Sequence, residues 1–516
     1  MYPYDTSGIT VGADGIRRYV TSPANLVVLL RETVDRCPED VALAELGHER
    51  VTYAELWARA ARVAGGLRDL GIERGDRVAI HLPNGNDWVY AWWGILLAGA
   101  VVVPVNTRFA QPEVDYVVGD SGASYVFEPD LPLPDGEPLV TADLDQAALA
   151  AICYTSGTTG FPKGAMTTHG NYLASIESCL RCWRFPEGER ISTLIAVPLF
   201  HVTGCMAQLL TMTAVGGTSV IMPVFDVTVF LQTIERERIS LVIGVPAILW
   251  LALQQPLFAE IDTSSVRAVL YGAAPVSPTL VEGLCAAFPD ARLGNGFGLT
   301  ECTGLATMLP HELAAERADS VGLPAPVVDV DLLDPDPVSG VGELVIRGPN
   351  VCVGYWGKEE QTRSTFVDGW LRTGDLARID DEGLVYIADR KKDMINRGGE
   401  NVYSVQVENV LAAHPQVGEV AVVGVPDQMM GEKVGAVVVP RAGATVDVTE
   451  LLDFAATQLA DFQVPQYVVV TSEPLPRNPS GKVVKPLLRE TVEWIPVPKV
   501  RRSGIPTIGE AAVPVP

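Results

Sequence analysis

The residues best suited to chemistry stand in one short segment, YTSGTTGFPKG, which runs from Tyr154 to Gly164. It combines four serine or threonine hydroxyls, three glycines and a lysine, and it follows a short apolar run, AAICY, that is typical of a buried strand. Glycine lets backbone N–H groups approach phosphate oxygens, hydroxyls add donors, and lysine supplies positive charge. The segment therefore predicts a phosphate-binding loop, whose candidate residues are Thr155, Ser156, Gly157, Thr158, Thr159, Gly160 and Lys163.

This segment differs from the common phosphate loop, in which serine or threonine directly follows the lysine of a GxxxxGK sequence. Here Gly164 follows Lys163, and Pro162 precedes it. That order fits a connection between two strands better than the start of a helix. The alternative is a flexible surface turn, but such a turn has little need of so many hydroxyl groups beside glycine and lysine.

The charge balance limits the partners of the chain. The 516 residues include 38 basic and 63 acidic side chains, which gives a formal net charge of −25. A surface this acidic argues against nucleic acid as a partner, because phosphate contacts need a basic footprint. A polyphosphate ligand must therefore be bound by a local cluster of backbone amides, lysine, arginine or metal, against an unfavourable overall field.

Alternating helix and strand patterns over roughly the first 390 residues must position the candidate phosphate loop. Thr52 and Glu55 form a predicted capping box, and the helix that follows has an apolar face made by Leu56, Ala60, Val63 and Leu67. The order helix, glycine, buried strand recurs along the chain and indicates α/β layers with mostly buried sheets. From about residue 321, short strands with glycine and proline turns predict a small β-barrel.

A domain boundary is predicted at the run DRKKD, the densest charge in the chain, which precedes the glycines of INRGGEN. A compact α+β pattern follows, with a helix from about Val405 to His414 and a later helix capped by Thr449. The tail is rich in proline, valine and arginine and has no periodicity, so we expect it to be flexible. The predicted division is a large α/β domain over residues 1–391, a small mobile α+β domain over 392–493, and a flexible tail over 494–516.

The sequence predicts neither secretion nor a membrane span. The N-terminal MYPYDTSGIT has no basic patch followed by an apolar run, as a signal peptide would. The longest apolar stretch, 88–105, is interrupted by Gly94, Gly99 and Pro104. It predicts a helix and then a buried strand, because a membrane span needs about 20 apolar residues without turn chemistry.

Eight cysteines in 516 residues suit a reducing compartment, so we expect a cytoplasmic protein. Cys179 and Cys182 form the only CxxC pair, and no second pair stands at zinc spacing. We therefore interpret the cysteines as scattered core thiols.

Six segments of this chain, taken in order, resemble the adenylate-forming superfamily, which includes acyl-CoA synthetases, firefly luciferases and the adenylation domains of peptide synthetases. The candidate phosphate loop is similar to the phosphate loop of that family. The resemblance covers roughly residues 25 to 490 and is to its acyl-CoA synthetases and fatty-acid–CoA ligases. The other matching segments are YGAAP (Tyr271–Pro275), GFGLTE (Gly296–Glu301), WLRTGD (Trp370–Asp375), DRKKD (Asp389–Asp393) and PSGK (Pro479–Lys482).

The resemblance implies a site for ATP and Mg²⁺. Glu301 and Thr155 would hold Mg²⁺ on the ATP phosphates, since a hard cation prefers oxygen ligands. Asp375 would accept hydrogen bonds from the ribose hydroxyls, and Arg390 would also contact the ribose. Many family members have tyrosine where this chain has Phe297, and ring stacking on the adenine survives that change. The remaining nucleotide-binding residues that it implies are Gly272, Ala273, Ala274, Pro275, Asn295, Gly296, Phe297, Gly298 and Thr300.

Lys482 is the residue that the resemblance implies for catalysis of adenylation. Attack of a carboxylate on the α-phosphate brings two anions together, and a cation that contacts both lowers the barrier. Taken alone, Lys482 would be interpreted as a surface lysine in a Gly-Lys turn.

The resemblance also implies a conformational change between two half-reactions. Lys392 would be the hinge of the small domain, because a short charged link can absorb dihedral changes. Alternatively, Lys392 is one member of a solvent-exposed run of charged residues and has no hinge function. After pyrophosphate leaves, Gly398 and Gly399 would let the pantetheine arm of coenzyme A pass close to the backbone.

The acid substrate is predicted from the segment PLFHVTG around His201. Many relatives carry an aromatic residue or histidine here, between the acyl and thiol channels, although a lone histidine is more often structural. Amino-acid-activating relatives typically have aspartate at this place, so His201 argues against an amino-acid substrate. The expected acyl pocket is apolar and favours a hydrophobic acid; its residues are His201, Val202, Cys205, Val245, Gly272, Gly298 and Leu305.

The sequence thus predicts an AMP-forming acid–thiol ligase that uses a small-molecule carboxylic acid, ATP and coenzyme A. The alternatives are an acyl-AMP ligase that loads a carrier protein in trans, and a nucleotide-binding protein without ligase activity. The second alternative is disfavoured because Lys482, Glu301 and Asp375 are all present. The oligomeric state is left open, with a homodimer as one option.

Overall fold

The computed structural model describes residues 2–155, 162–185, 188–274, 276–398, 400–478 and 482–497. Its helices, numbered in chain order, are α1 (Leu26–Arg36), α2 (Tyr53–Asp69), α3 (Asn86–Leu97), α4 (Gln111–Ser121), α5 (His169–Trp183), α6 (Thr211–Val215), α7 (Val227–Arg236), α8 (Pro246–Leu253), α9 (Pro278–Ala287), α10 (Glu359–Thr365), α11 (Ser404–Ala412), α12 (Val448–Ala456) and α13 (Lys485–Thr491). A π-helix, Thr203–Leu210, leads directly into α6.

The strands are also numbered in chain order. The first are β1 (Ile9–Val11), β2 (Arg17–Tyr19), β3 (Val41–Glu45), β4 (Val51–Thr52), β5 (Arg77–Ile80), β6 (Val101–Pro104), β7 (Tyr125–Phe127), β8 (Leu149–Thr155), β9 (Lys163–Thr168), β10 (Ser192–Ile195), β11 (Thr218–Ile221), β12 (Leu241–Gly244), β13 (Ala268–Gly272), β14 (Arg292–Phe297), β15 (Thr307–Met308) and β16 (Leu323–Pro324). The others are β17 (Asp329–Leu333), β18 (Gly342–Arg347), β19 (Phe366–Val367), β20 (Trp370–Ile379), β21 (Val385–Arg390), β22 (Ile395–Arg397), β23 (Glu400–Val402), β24 (Val417–Asp427), β25 (Gly431–Pro440) and β26 (Tyr467–Val470).

Two mixed sheets with helices between and around them form the α/β part of the fold. The large sheet has the order β16-β15-β14-β13-β12-β10-β11-β3-β4, and its strands from β14 through β3 are parallel. The second sheet has the order β7-β5-β6-β8-β9, with β9 antiparallel to β8. Parallel strands buried on both faces explain the near-continuous apolar runs of the sequence.

Tryptophans of α3 lie at the centre of the main core. Trp88, Trp92 and Trp93 are fully buried, and the rings of Trp88 and Trp92 stack with their centroids 5.4 Å apart. The apolar stretch 88–105 is thus a helix and then the buried strand β6, as predicted, with Gly99 in the left-handed conformation between them. No helix in the described part of the chain is long and apolar enough to cross a membrane.

The chain divides into two compact units. The large unit contains residues 1–373 and 377–387, and the small unit contains residues 374–376 and 388–516. Strands β17 to β21 form the third sheet, where short strands were predicted, and the division between the units passes through β20 and β21.

The small unit is α+β. Its sheet has the order β23-β22-β25-β24, with β26 parallel to β25. Helices α11 and α13 pack on β24, and α11 packs on α12. Of the tail predicted from residue 494, residues 498–516 lie outside the described residues.

Local helix signals gave one confirmed and one wrong prediction. The capping box at α2 is present, because the Thr52 hydroxyl accepts from the Glu55 backbone N–H and the Glu55 carboxylate accepts from that of Thr52. Thr449 was predicted to cap the helix that became α12, but α12 begins at Val448 and its cap is Asp447. The Asp447 carboxylate accepts from the backbone N–H of both Thr449 and Glu450, so the cap lies two residues before the predicted threonine.

Cys179 and Cys182 lie one turn apart on α5 and are both buried as free thiols. Burial raises the pKa of Cys179 to about 12, so this thiol stays neutral. The prediction of core thiols is confirmed for this pair.

Candidate active site

The candidate phosphate loop connects β8 to β9, and a connection between two strands is what the sequence predicted. Thr155 and Lys163 are paired across these strands, and the Thr155 hydroxyl donates to the backbone oxygen of Lys163 at 3.4 Å. The two ends of the loop are therefore fixed side by side. Five of its predicted residues lie outside the described residues: Ser156, Gly157, Thr158, Thr159 and Gly160.

Two neighbouring strand ends of the large sheet carry the residues predicted to enclose the adenine. Strands β13 and β14 are parallel, and Gly272 is paired with Gly296 at their carboxyl ends. A Cβ atom on Gly272 would lie 2.0 Å from the Gly296 backbone oxygen, so a larger residue would push the strands apart. Ala273 follows with φ +61°, and Pro275 lies outside the described residues. Ligands of α/β sheets bind beyond such carboxyl ends, which supports a nucleotide site here.

Asn295 and Phe297 flank Gly296 on β14 and help to fix this strand. Asn295 is buried, and its Nδ2 donates to the backbone oxygen of Ser320 at 3.0 Å. The backbone oxygen of Phe297 accepts from the Ala306 N–H at 2.9 Å. Asn295 thus has a structural contact of its own, and its contact with a nucleotide stays a prediction, as do those of Phe297 and Ala274.

Glu301 lies in a short 3-10 turn, Thr300–Cys302, that packs against β9. The fully buried Asn350 fixes this turn, because its Nδ2 donates to the backbone oxygens of Cys302 at 3.0 Å and Leu305 at 2.9 Å. Asn350 was missed by the sequence analysis. Its contacts span more than 40 residues of chain, and a single asparagine gives no local signal for them.

The carboxylate of Glu301 accepts a hydrogen bond from the Tyr355 hydroxyl at 2.9 Å. The same tyrosine ring lies under the ammonium of Lys163, with Nζ 5.0 Å from the ring centroid. The structure therefore brings together the lysine of the candidate phosphate loop and the carboxylate predicted for the metal. Tyr355, which joins them, was also missed by the sequence analysis.

Glu301 and Thr155 carry the oxygens predicted to hold Mg²⁺. Mg²⁺ commonly binds one or two protein oxygen ligands together with substrate phosphates. Within the described residues, no group of three or more His, Cys, Asp or Glu side chains could hold a metal ion. Glu301 and Thr155 offer a carboxylate and a hydroxyl, which are oxygen ligands of the kind Mg²⁺ prefers, and their metal role stays a prediction.

Part of the predicted acyl pocket converges around Gly304. Gly304 has φ +100°, and a Cβ atom there would lie 2.3 Å from Met206 Cε and 3.8 Å from Val202 Cβ. A Cβ atom on Gly298 would lie 1.4 Å from the Gly304 backbone oxygen and 3.2 Å from Leu305 Cα. Val202, Gly298 and Leu305 are therefore neighbours, and Met206 is an apolar member that the sequence analysis did not include.

The segment around His201 begins the π-helix that carries Met206. The His201 ring contacts the Phe200 ring with centroids 4.6 Å apart, and the His201 backbone oxygen accepts from the Cys205 N–H at 2.9 Å. Cys205 is buried, and burial raises the pKa of its thiol well above the ordinary value. Val245 lies directly after β12, next to β13 in the sheet. A gating role for His201 stays a prediction; π-helices are frequent at functional sites.

In the small unit, the two residues predicted to bind the ribose contact each other. Arg390 Nε lies 2.6 Å from Asp375 Oδ1. Asp375 is buried, whereas the Arg390 side chain is 39% exposed. The backbone N–H of Lys391 donates to the Gly374 oxygen at 2.9 Å, which fixes the chain on both sides of this pair.

Lys482 is exposed in the small unit. Its backbone N–H donates to Asn478 Oδ1 at 2.9 Å, and its backbone oxygen accepts from the Asn478 N–H at 2.9 Å. These two bonds hold the lysine backbone in place. The other members of the PSGK segment, residues 479–481, lie outside the described residues.

The predicted hinge and thiol segments are also in the small unit. Lys392 is exposed in the turn after β21, four residues beyond the start of this unit at residue 388. Gly398 has φ +62°, and its N–H donates to the Met430 backbone oxygen at 2.7 Å. Gly399 lies outside the described residues. The hinge and coenzyme A roles stay predictions.

A buried polar cluster connects this hinge segment to the chain after Lys482. Lys485 Nζ lies 2.7 Å from Glu408 Oε1 and donates to the Ser404 hydroxyl at 2.7 Å. Ser404 donates to Asp389 through both its hydroxyl and its backbone N–H. Asp389 directly precedes Arg390, so the cluster joins the segments that carry Arg390 and Lys482.

Comparison with known proteins agrees with these observations. A family model for AMP-binding enzymes matches residues 30–356, and a model for the AMP-binding enzyme C-terminal domain matches residues 406–482. A feruloyl-CoA synthase from Amycolatopsis sp is 39% identical over 467 residues, which cover 85% of this chain and 93% of the relative. The long-chain-fatty-acid–CoA ligase FadD13 of Mycobacterium tuberculosis is 37% identical over 502 residues, covering 90% and 98%.

Solved structures give the same result for the fold. The o-succinylbenzoate-CoA synthetase MenE of Bacillus subtilis, in complex with its acyl-adenylate intermediate OSB-AMP, has a TM-score of 0.84 and 31% identity, covering 92% of this chain and all of that one. The same protein in complex with ATP and a magnesium ion has a TM-score of 0.82 and 31% identity, covering 90% and 99%. The chain therefore belongs to the AMP-binding enzyme family, among the acyl-CoA synthetases of the adenylate-forming superfamily.

Proposed function

We propose that this enzyme activates a hydrophobic carboxylic acid with ATP as an acyl-adenylate and then transfers the acyl group to coenzyme A. The observation that supports this most is the contact chain from Lys163 through Tyr355 to Glu301. This chain of contacts joins the ammonium of Lys163, at the end of the phosphate loop, to the carboxylate that we propose holds the metal. Lys163 and Glu301 both lie in the large unit, which also contains the paired strand ends at Gly272 and Gly296.

In the first half-reaction, a carboxylate oxygen forms a bond to the α-phosphorus and the bond to pyrophosphate breaks. Lys163 and the loop amides bind the phosphates, while Glu301 and Thr155 would hold Mg²⁺, which when bound neutralises phosphate charge. Lys482 contacts the acid and the α-phosphate and stabilises the charge that develops between them. Asp375 and Arg390 orient the ribose.

In the second half-reaction, the thiol sulfur forms a bond to the acyl carbonyl carbon and AMP leaves with the electrons of the broken C–O bond. The small unit reorients about Lys392, so that Lys482 leaves the site and the Gly398–Gly399 loop guides the pantetheine arm. His201 lies between the acyl and thiol channels and closes the thiol channel until the adenylate has formed.

The acid is hydrophobic because the neighbours around Gly304 are apolar. Val202, Met206 and Leu305 offer no charge to pair with a second carboxylate or an α-amine, and a buried charge without a partner is costly. Two relatives are named for acids with a large apolar part, one for an aryl acid, ferulate, and another for long-chain fatty acids.

A pyrophosphate-release screen with purified enzyme, ATP and Mg²⁺ tests this proposal. The acids are medium- and long-chain fatty acids, aryl acids, polycyclic acids and dicarboxylates, each assayed with coenzyme A and with a phosphopantetheinylated carrier protein. We expect release with apolar monocarboxylates and a thioester of coenzyme A as product. Release with dicarboxylates or amino acids alone would contradict the substrate class, and a thioester on the carrier protein alone would contradict the acceptor.

A further inference from the structure

Tyr355 lies in a segment whose backbone is fixed to the strand that carries Lys163. The N–H of Val353 donates to the Met166 oxygen at 3.0 Å, and the Met166 N–H donates to the Gly354 oxygen at 2.9 Å. The Trp356 N–H donates to the Gly164 oxygen at 2.8 Å. This segment therefore runs along β9 directly beside the end of the candidate phosphate loop.

The Tyr355 side chain is fixed as firmly as its backbone. It is only 6% exposed, and its ring meets the Phe366 ring edge to face, with centroids 5.6 Å apart. The Tyr355 N–H donates to the Thr362 hydroxyl at 2.9 Å. A buried ring held in this way keeps a single orientation relative to its polar neighbours.

In that orientation the Tyr355 side chain contacts two oppositely charged groups, the Glu301 carboxylate and the Lys163 ammonium. The hydroxyl donates to Glu301 Oε1 at 2.9 Å, and the ring face lies 5.0 Å from Lys163 Nζ. The ring attracts the ammonium without neutralising it, so the full charge of Lys163 remains for phosphate. The hydrogen bond uses one oxygen of the Glu301 carboxylate, and the carboxylate has a second oxygen for a cation.

The phenol is suited to this role because its O–H can donate to the carboxylate, which offers only acceptors. Two further bonds restrict Glu301 itself: the Cys352 N–H donates to its backbone oxygen at 2.8 Å, and Asn350 fixes the adjacent turn. These bonds fix the backbone around Glu301 but leave its side chain able to rotate. Tyr355 then orients the carboxylate.

We propose that Tyr355 is a positioning residue that aims Glu301 at the metal ion and Lys163 at the phosphates of the same bound ATP. The inference rests on the proposed function and adds to it a residue that contacts neither reacting atom. Its hydroxyl serves the metal side of the site and its ring serves the lysine side, so the two contributions can be separated by substitution.

Calorimetric titration of ATP into the purified enzyme, once with Mg²⁺ and once with EDTA, tests the inference apart from turnover. Tyr355→Phe keeps the ring and removes the hydroxyl. We expect it to weaken binding of ATP about three- to tenfold with Mg²⁺ and to leave binding in EDTA unchanged, as for one lost hydrogen bond. Tyr355→Leu removes the ring as well and should weaken binding under both conditions.

Tyr386→Phe is the matched control, because the Tyr386 hydroxyl donates to a carboxylate outside the site, Asp380 Oδ2, at 3.0 Å. It should bind ATP as the wild type does. Equal weakening by Tyr355→Phe with Mg²⁺ and with EDTA would overturn the inference, and so would wild-type binding under both conditions. If the wild type itself did not bind ATP with Mg²⁺, the proposed function would fail instead.

A double-variant cycle gives an independent answer. Glu301→Gln removes the charge that Tyr355 is inferred to aim, so Tyr355→Phe should cause no further loss of Mg²⁺-dependent ATP affinity in that background. Additive losses from the two substitutions would show that Tyr355 acts other than through Glu301 and would contradict the inference.

Discussion

Arg390 Nε lies 2.6 Å from Asp375 Oδ1, and the carboxylate is buried while the guanidinium is partly exposed. The pair lies within the small unit, and both residues come from segments that the sequence analysis assigned to the ribose. A carboxylate held in one orientation by an arginine is a well-defined acceptor for hydroxyl groups.

Asp375→Asn should weaken ATP binding about 10- to 100-fold, because a hydrogen bond to a charged acceptor contributes about 1.5–3 kcal/mol. The wild type should lose affinity similarly when ATP is replaced by 2′-deoxy- or 3′-deoxy-ATP, whereas the variant should lose little more. Calorimetry with the three nucleotides measures this. Asp381→Asn, at an exposed aspartate, is the control. A full further loss with the deoxynucleotides in Asp375→Asn would argue against ribose contact.

Lys482→Ala should abolish acid-dependent exchange of pyrophosphate into ATP, with a loss of at least about 10²–10³ in rate. The variant should keep much of the transfer from preformed acyl-adenylate to coenzyme A, because Lys482 is not needed once pyrophosphate has left. Lys433→Ala, which breaks a surface ion pair with Asp427 in the same unit, should retain exchange. Equal loss of both half-reactions in Lys482→Ala would refute the proposal that the two half-reactions use different conformations of the enzyme.

Lys392→Pro should have the opposite effect. Proline fixes φ near −65° and should therefore restrict the rotation expected at this residue. Pyrophosphate exchange should continue while thioester formation falls, so that acyl-AMP accumulates on the enzyme and can be detected after acid quench. Lys392→Ala is the control, since it removes the charge and keeps the rotation. Unchanged overall turnover in Lys392→Pro would count against a hinge here.

Removing one partner of the Lys485–Glu408 pair should destabilise the small unit strongly, because it leaves the other charge buried without a partner. Both side chains are less than 20% exposed and lie 2.7 Å apart, and breaking a buried pair typically costs about 3–5 kcal/mol. Lys485→Met should therefore speed amide hydrogen exchange in α11 and β24. Arg477→Ala breaks the exposed pair with Glu419 and should cost at most about 1 kcal/mol. Similar exchange in the two variants would contradict a structural role for the buried pair.

The large unit should lose stability as pH falls through the range set by His169. This residue is 1% exposed at the start of α5, and burial lowers its pKa to about 4 from 6.5. The unfolded chain binds a proton at His169 below about pH 6.5, whereas the folded chain does not bind it until about pH 4. The free energy of unfolding therefore falls as pH decreases from about 6.5 to 4. The loss should approach about 3 kcal/mol at pH 4.

Urea unfolding at several pH values, followed by tryptophan fluorescence from α3, measures this effect. His169→Gln keeps an acceptor for the Leu26 N–H, which His169 Nδ1 accepts at 3.3 Å, and has no charge to gain. Its stability should fall less between pH 6.5 and 4 than that of the wild type. Parallel pH profiles for the two proteins would show that His169 does not titrate in this way.

The parts of the fold that were predicted depend on local signals. The capping box at Thr52, the change from helix to strand at Gly99, and the strand-to-strand position of the phosphate loop are each encoded within about ten residues. The wrong cap at Thr449 has a local cause as well, because Asp447 two residues earlier is the stronger acceptor.

The parts of the site that were missed depend on contacts across the chain. Tyr355 is 54 residues from Glu301, and Asn350 is 48 residues from Cys302. Tyrosine and asparagine occur in many loops, and nothing in their immediate sequence indicates which distant residue they contact. The π-helix at Thr203–Leu210 was missed for another reason, since its apolar residues also fit an ordinary helix.

The central claim is that one enzyme forms an acyl-adenylate and then a thioester of coenzyme A. The most direct measurement incubates the purified enzyme with ATP, Mg²⁺ and an accepted apolar acid, first without and then with coenzyme A, and quantifies acyl-AMP, AMP and acyl-CoA by mass spectrometry. We predict enzyme-bound acyl-AMP in the first phase and its conversion to equal amounts of AMP and acyl-CoA in the second. Formation of ADP, or acyl-CoA without prior acyl-AMP, would contradict the account.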